Sequence, residues 1–235
     1  MTPVYVVLEG QTELAFVKSV LAPHLARVKV YATPIVVSTK RERDGRKHRG
    51  GGDWGKWRAD LRRLCCDGRP EVRITTLFDL YGLPKNFPAL SVHSSVGDTR
   101  KRCELLEEEM AKVIGDRRFI PYLQRHEFEA LVLAGLSVLD SILQDPADRA
   151  GLLKLRTDIG SLDPEDVNDG NETAPSKRLE RFIPSYNPGD RTKGEGKPFY
   201  GELVTIETGL STLRAKCPRF NAWIAKLETL AEAQP

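Results

Sequence analysis

A chain of 235 residues, 40% of them hydrophobic, is long enough to bury a full core, as one domain with an appendage or as two small domains. Its formal net charge of +3 is too small to identify a partner, and no apolar run approaches the roughly 20 residues that a membrane-spanning helix needs, so neither a membrane segment nor a secreted form is expected. The four cysteines, Cys65, Cys66, Cys103 and Cys217, form no C-x-x-C pair and no Cys/His zinc spacing, and no N-terminal signal region is visible, which predicts a reduced, cytoplasmic protein.

Residues 3 to 8 read as a buried strand, apolar on both faces as parallel strands are. It runs into Glu9 and Gly10, where the glycine is expected to turn the backbone sharply and Thr12 and Glu13 to favour a helix N-terminus. Leu14, Val17 and Leu21 then fall at helical spacing, which starts a βαβ unit, and Pro23 should end or kink that helix. A second strand is predicted within Val28 to Val37, followed by a basic, glycine-rich loop from Lys40 to Gly52. Asp53 to Cys65 reads as a helix with Trp54, Trp57, Leu61 and Leu64 on one face, and Val72 to Phe78 as a third strand ending at Asp79.

Ser95 to Asp98 has the form of a capping box with Asp in place of Glu, opening a helix to about Ile114. Phe119 to Leu123 is the fourth predicted strand, and His126 to Ala134 looks helical. Beyond Gly135 the pattern changes to short helices and loops. Leu162 to Thr173 is acidic and turn-rich, Ser185 to Pro198 reads as a mobile loop, and Pro218 suits the first position of a last helix carrying Phe220, Trp223, Ile224 and Leu227 on its apolar side. Strands alternating with helices at this spacing predict the α/β class. The expected layout is a mostly parallel four-stranded sheet covered by helices over residues 1–135, with a mainly helical extension over 136–235 packed on it.

Three acidic groups stand directly after predicted strands: Glu9, Asp79, and the pair Glu127 and Glu129. In open α/β sheets ligands bind at the carboxyl ends of the strands. Taken singly, each also reads as an ordinary turn residue or a solvated first helical turn. Adjacent parallel strands would bring them together, and like charges packed closely are costly unless a cation neutralises them. Hard carboxylate oxygens suit magnesium or manganese better than zinc. His126 is a candidate for orienting a carboxylate or moving a proton, or is simply structural.

These segments and their strand order resemble the Toprim domain, the metal-dependent core of topoisomerases, primases and overcoming-lysogenization-defect nucleases. The resemblance is closest to a bacterial family of unknown function with a Toprim-like core, domain of unknown function four-two-seven-six. It rests on Leu8-Glu9-Gly10-Gln11-Thr12-Glu13, Phe78-Asp79-Leu80-Tyr81-Gly82-Leu83-Pro84, His126-Glu127-Phe128-Glu129-Ala130, Pro175-Ser176-Lys177-Arg178-Leu179 and Cys217-Pro218-Arg219-Phe220. The Toprim pattern places its glutamate at Glu9 and the first acid of its Asp-x-Asp element at Asp79. Tyr81 occupies the position of the second acid, which leaves Glu127 or Glu129 to supply the missing ligand. The resemblance implies a nuclease working with a separate ATPase, in phage defence.

The charge is unevenly spread. From Lys40 to Arg63 ten Lys or Arg face four acids, a local excess of +6 that leaves the rest of the chain at −3. Lys40, Arg41, Arg43, Arg46, Lys47 and Arg49 are therefore candidates for phosphate contacts, which are paid for by counterion release, although a solvated loop has the same composition. Lys177 and Arg178 are candidates for holding a substrate phosphate or stabilising charge in phosphoryl transfer, and read equally as surface charges. Gly194-Glu195-Gly196-Lys197-Pro198 does not make a P-loop, so ATP hydrolysis of that kind is not expected of this chain. Two functions remain: a metal-dependent nuclease or phosphoryl-transfer protein acting on nucleic acid, and a non-catalytic nucleic-acid-binding or adaptor module of an ATPase system.

Overall fold

The computed structural model describes residues 1–37, 52–168, 170, 172–186 and 196–231. Strand β1 (Thr2–Leu8) is buried on both faces, with Val4, Val6 and Leu8 in one apolar cluster and Val7 in another. It pairs in parallel with β2 (Val30–Val36) on one side and with β3 (Arg73–Asp79) on the other. Two further short strands, β4 (Phe119–Ile120) and β5 (Leu123–Gln124), both pair in parallel with β3, which gives the order β2-β1-β3-β4 with β5 off that path. The single fourth strand expected over 119–123 is thus split at Pro121, whose nitrogen cannot donate to a ladder.

Helices cover both faces. On one, α3 (Trp54–Cys65) and α4 (Thr99–Ile114) bury Trp54, Trp57, Leu61, Cys103, Leu106 and Met110 against Ile74 and Phe78. The indole of Trp57 lies 4.5 Å from the Phe78 ring. On the other face, α1 (Gln11–Phe16) and the π-helical turn Val17–Leu21 run into α2 (Ala22–Ala26). Pro23 therefore does not end the helix. The helical backbone runs through it, with Pro23 at the second position of α2 directly after the widened π turn, the irregularity that accompanies it.

The same apolar cluster continues through α5 (Glu129–Ala134), α6 (Leu136–Ile142), α7 (Pro146–Ile159), α8 (Pro175–Phe182), α9 (Lys197–Thr208), α10 (Leu210–Lys216) and α11 (Pro218–Glu228). Pro218 opens α11 as expected, and Phe220, Trp223, Ile224 and Leu227 are buried. Trp223 stacks on Tyr122 at 4.5 Å and donates its indole N–H to Thr75 Oγ1 at 2.9 Å, which ties α11 to β3. Glu165, from the acidic turn before it, accepts the amides of Arg219 and Phe220 at 2.8 and 3.0 Å and so caps this helix.

Three boundaries differ from expectation. Asp98 rather than Ser95 caps α4, because its carboxylate accepts the amides of Arg100 and Lys101. α5 begins at Glu129 rather than His126, since His126 holds a φ of +64° that a helix excludes. Of the segment expected to be a loop, Lys197 and Pro198 are the first turn of α9, and residues 187–195 lie outside the described residues. No described helix is long and apolar enough to cross a membrane.

Candidate active site

The parallel register sets the site. Leu8 lies opposite Leu77, so Glu9 leaves β1 beside the last turn of β3, where Asp79 lies opposite Gln124 of β5. Glu9 Oε1 accepts the backbone N–H of Asp79 at 2.6 Å, a direct link between the first two acids. Gly82, in the 3-10 turn Leu80–Gly82, is what makes room: a Cβ there would lie 2.5 Å from Glu9 Oε2. Gly10 serves the same purpose rather than a sharp turn. Its backbone is extended, at φ −150°, and a Cβ would sit 3.2 Å from Glu13 Oε2.

Glu13, in the first turn of α1, is buried and faces this edge, a placement that sequence reasoning missed. The signal was available, since an acid four residues after Glu9 in a helix starting at the strand end points back to that end. Glu129 opens α5, is also buried, and accepts the Tyr186 hydroxyl at 3.2 Å. Glu127 Oε2 accepts the Ser176 amide at 2.9 Å, so this acid anchors the N-terminal turn of α8.

The electrostatics follow from packing these groups together. Burial pushes the Glu9 carboxyl up to about 8, with Glu13 adding to it and the Asp79 amide opposing. Burial likewise pushes Glu13 up to about 7, with Glu129 contributing. Asp79 is raised well above the usual range by burial and then by Glu13, Glu9, Glu129 and Glu127, which places all five acids within one electrostatic neighbourhood. Its Oδ1 is buried without a hydrogen-bond partner. Glu129 is raised by burial, against the pull of Lys197.

Lys197, in the first turn of α9, is the cation of this cluster. Its Nζ lies 3.5 Å from Glu129 Oε1 and 2.8 Å from Glu180 Oε1, and these acids hold it charged against the opposing effect of burial. Sequence reasoning missed Lys197 because it sits in a Gly/Pro-rich run that reads as loop. Lys177 is exposed and paired with Glu180 Oε2 at 2.9 Å, one ion pair further from the edge. Arg178 is buried, with its guanidinium on Asp158 and on the Thr173 carbonyl at 2.8 Å, which leaves it holding α8 in place. His126 lies under Tyr81, and burial lowers it to about 4, helped by Arg125 and Arg102, so it is neutral near pH 7. Lys40, Arg41, Arg43, Arg46, Lys47 and Arg49 lie outside the described residues.

The donor chemistry fits a hard divalent ion, because every acidic group is a carboxylate and the Asp79 Oδ1 oxygen is unpaired. Among the described residues no three carboxylate, histidine or thiol groups form a closed ligand set as they lie, so gathering them on one ion takes side-chain rotation.

A model of one family, described as Domain of unknown function (DUF4276), matches residues 8–228. The chain belongs to that family. The DUF4276 match starts at the end of β1 and reaches the last turn of α11, so it spans both the carboxylate edge and the helices behind it. A solved structure, the C-terminal region of the Xanthomonas campestris pv. campestris OLD protein, aligns over 95% of this chain and 96% of that chain, with 13% identity and a TM-score of 0.36. No curated protein matches the chain.

Proposed function

We propose that the chain is a metal-dependent nuclease or phosphoryl-transfer protein acting on nucleic acid, with magnesium or manganese as its cofactor. The supporting observation is the crowding of Glu9, Glu13, Asp79 and Glu129 at one sheet edge, with Lys197 as the nearby cation. Carboxylates packed this way are unfavourable unless a further positive charge offsets them. In this reading Glu9 and Asp79, joined by Glu127 or Glu129, hold the ion. Such an ion, when bound, activates water and stabilises the leaving oxygen of a phosphodiester. Lys197 fixes the orientation of Glu129, and Lys177 waits at the rim for a substrate phosphate. The segment from Lys40 to Arg49 contacts the nucleic-acid backbone. The Toprim resemblance adds a separate ATPase partner, a role in phage defence and a cytoplasmic setting to this proposal.

The test is cleavage of single- and double-stranded DNA and RNA with magnesium, manganese or EDTA, with Glu9→Gln and Asp79→Asn as controls. Cleavage that needs the metal and falls at least about 100-fold in either variant is the expected result. No metal-dependent cleavage of any substrate, with or without an ATPase partner, would sink the enzymatic reading.

One observation favours a second reading, a non-catalytic nucleic-acid-binding or adaptor module of an ATPase system: Tyr81 stands where the second acid of the Toprim pattern belongs. That module would bind nucleic acid with the same affinity in EDTA as in magnesium, and would leave it intact.

A further inference from the structure

Tyr81 brings a phenol to the carboxylate edge. It stands in the 3-10 turn Leu80–Gly82, two residues after Asp79 and next to Gly82, where a Cβ would lie 2.5 Å from Glu9 Oε2, so one short turn borders both acids. Its amide donates to the His126 carbonyl at 3.1 Å, and the two rings pack 5.3 Å apart. Tyr81 still stays 38% exposed, whereas Tyr186, another phenol of this site, is fully buried and donates its proton to Glu129 Oε1.

Asn168 fixes what the Tyr81 hydroxyl can do. The Gly170 amide donates to Asn168 Oδ1 at 3.0 Å, which sets the orientation of the carboxamide, and Nδ2 then donates to the Tyr81 oxygen. His126 Nδ1 lies 3.1 Å from the same oxygen, and in its Nδ1–H tautomer the ring adds a second donor. A phenol oxygen that accepts in this way keeps its own proton for another acceptor. The same donors stabilise the phenolate left behind when that proton goes.

We propose that Tyr81 is the general acid of phosphodiester cleavage, giving its proton to the sugar oxygen that leaves the phosphorus. The inference rests on the nuclease reading above. A sugar alkoxide is a far stronger base than a phenolate, so the transfer is favourable once the bond breaks. Water forms the new P–O bond and loses its proton to solvent. The old P–O bond breaks with its electron pair on the sugar oxygen, which takes the Tyr81 proton, and the phenolate regains a proton from water. Asn168 is a positioning residue, since it acts only through the Tyr81 oxygen.

The test compares two kinds of diester cleaved by the full chain with manganese. One is a DNA or RNA strand, whose leaving group is a sugar alkoxide. The other is thymidine para-nitrophenyl phosphate, whose nitrophenolate departs without a proton. In Tyr81→Phe, with circular dichroism unchanged, kcat should fall at least about 100-fold on the strand at constant KM, and less than about tenfold on the nitrophenyl ester. Asn168→Ala keeps the phenol and should show the same bias at a smaller size, which covers the case of a Tyr81 variant that does not fold. Equal losses on both diesters, or strand cleavage within about threefold of the unaltered chain, would overturn the inference and leave the nuclease reading standing. No metal-dependent cleavage of DNA, RNA or the nitrophenyl ester by the unaltered chain would overturn both.

Discussion

Glu9 is under two opposed demands. Its Oε1 accepts the Asp79 amide, which favours the charged form, while burial and Glu13 favour the neutral one, and burial dominates. A carboxyl raised to about 8 in the folded chain binds a proton that the unfolded chain has already lost. Stability from this proton is therefore fully present below the unfolded value of 4.5 and is lost as pH rises through about 8. Glu13 acts in the same direction up to about 7. In EDTA, the unfolding midpoint should fall steadily from about pH 5 to about pH 8, and Asp79→Asn should flatten the fall by removing one of the opposing charges. A midpoint that is level across this range in the unaltered chain would mean that folding does not raise these carboxyls. At this scale Glu9 and Asp79 were legible because each follows an apolar strand directly. Glu13 carried a signal as well, four residues after Glu9 in a helix that starts at the strand end, and was overlooked; Lys197 carried none, since burial of a charged side chain there is decided by which helix packs behind it.

Elements meet at this edge through close approaches that glycines permit. A methyl group at Gly82 would press on Glu9, so Gly82→Ala should displace the carboxylate from the Asp79 amide. A cost of about 1–3 kcal/mol is expected from the overpacking, together with a loss of metal affinity, and calorimetry of the variant checks both. Unchanged affinity would show that Glu9 takes no part in binding. Behind the edge, a Cβ at Gly151 of α7 would fall 1.6 Å from the Phe182 carbonyl oxygen at the end of α8. Gly151→Ala must therefore move a helix rather than a side chain, and should lower the unfolding midpoint by several degrees, at about 2–4 °C per kcal/mol for a chain of this size. The helices themselves were readable from period and capping. The break at Pro121 was overlooked although the proline itself signals it, while the left-handed His126 was not visible in the pattern, because its carbonyl is held by the Tyr81 amide far off in sequence.

The whole molecule is a helix-covered parallel sheet, and its parallel character was legible because parallel strands need long crossovers, which supply the alternating helices. Its uneven charge leads to a prediction of its own. Replacing Arg46, Lys47 and Arg49 with alanine should weaken nucleic-acid binding for all sequences alike and flatten its salt dependence, because phosphate contacts carry no base information. An unchanged salt slope, measured by fluorescence anisotropy, would limit that segment to a connecting role. The most direct test of the central claim is a calorimetric titration of manganese into the full chain near pH 7.5, repeated in buffers of different ionisation enthalpy. Binding at a carboxylate edge where Glu9 and Glu13 titrate near 8 and 7 must expel protons, so the measured heat should vary with the buffer and the response should vanish in Asp79→Asn. Heats that show no binding, or binding that releases no protons and survives in Asp79→Asn, would contradict the account.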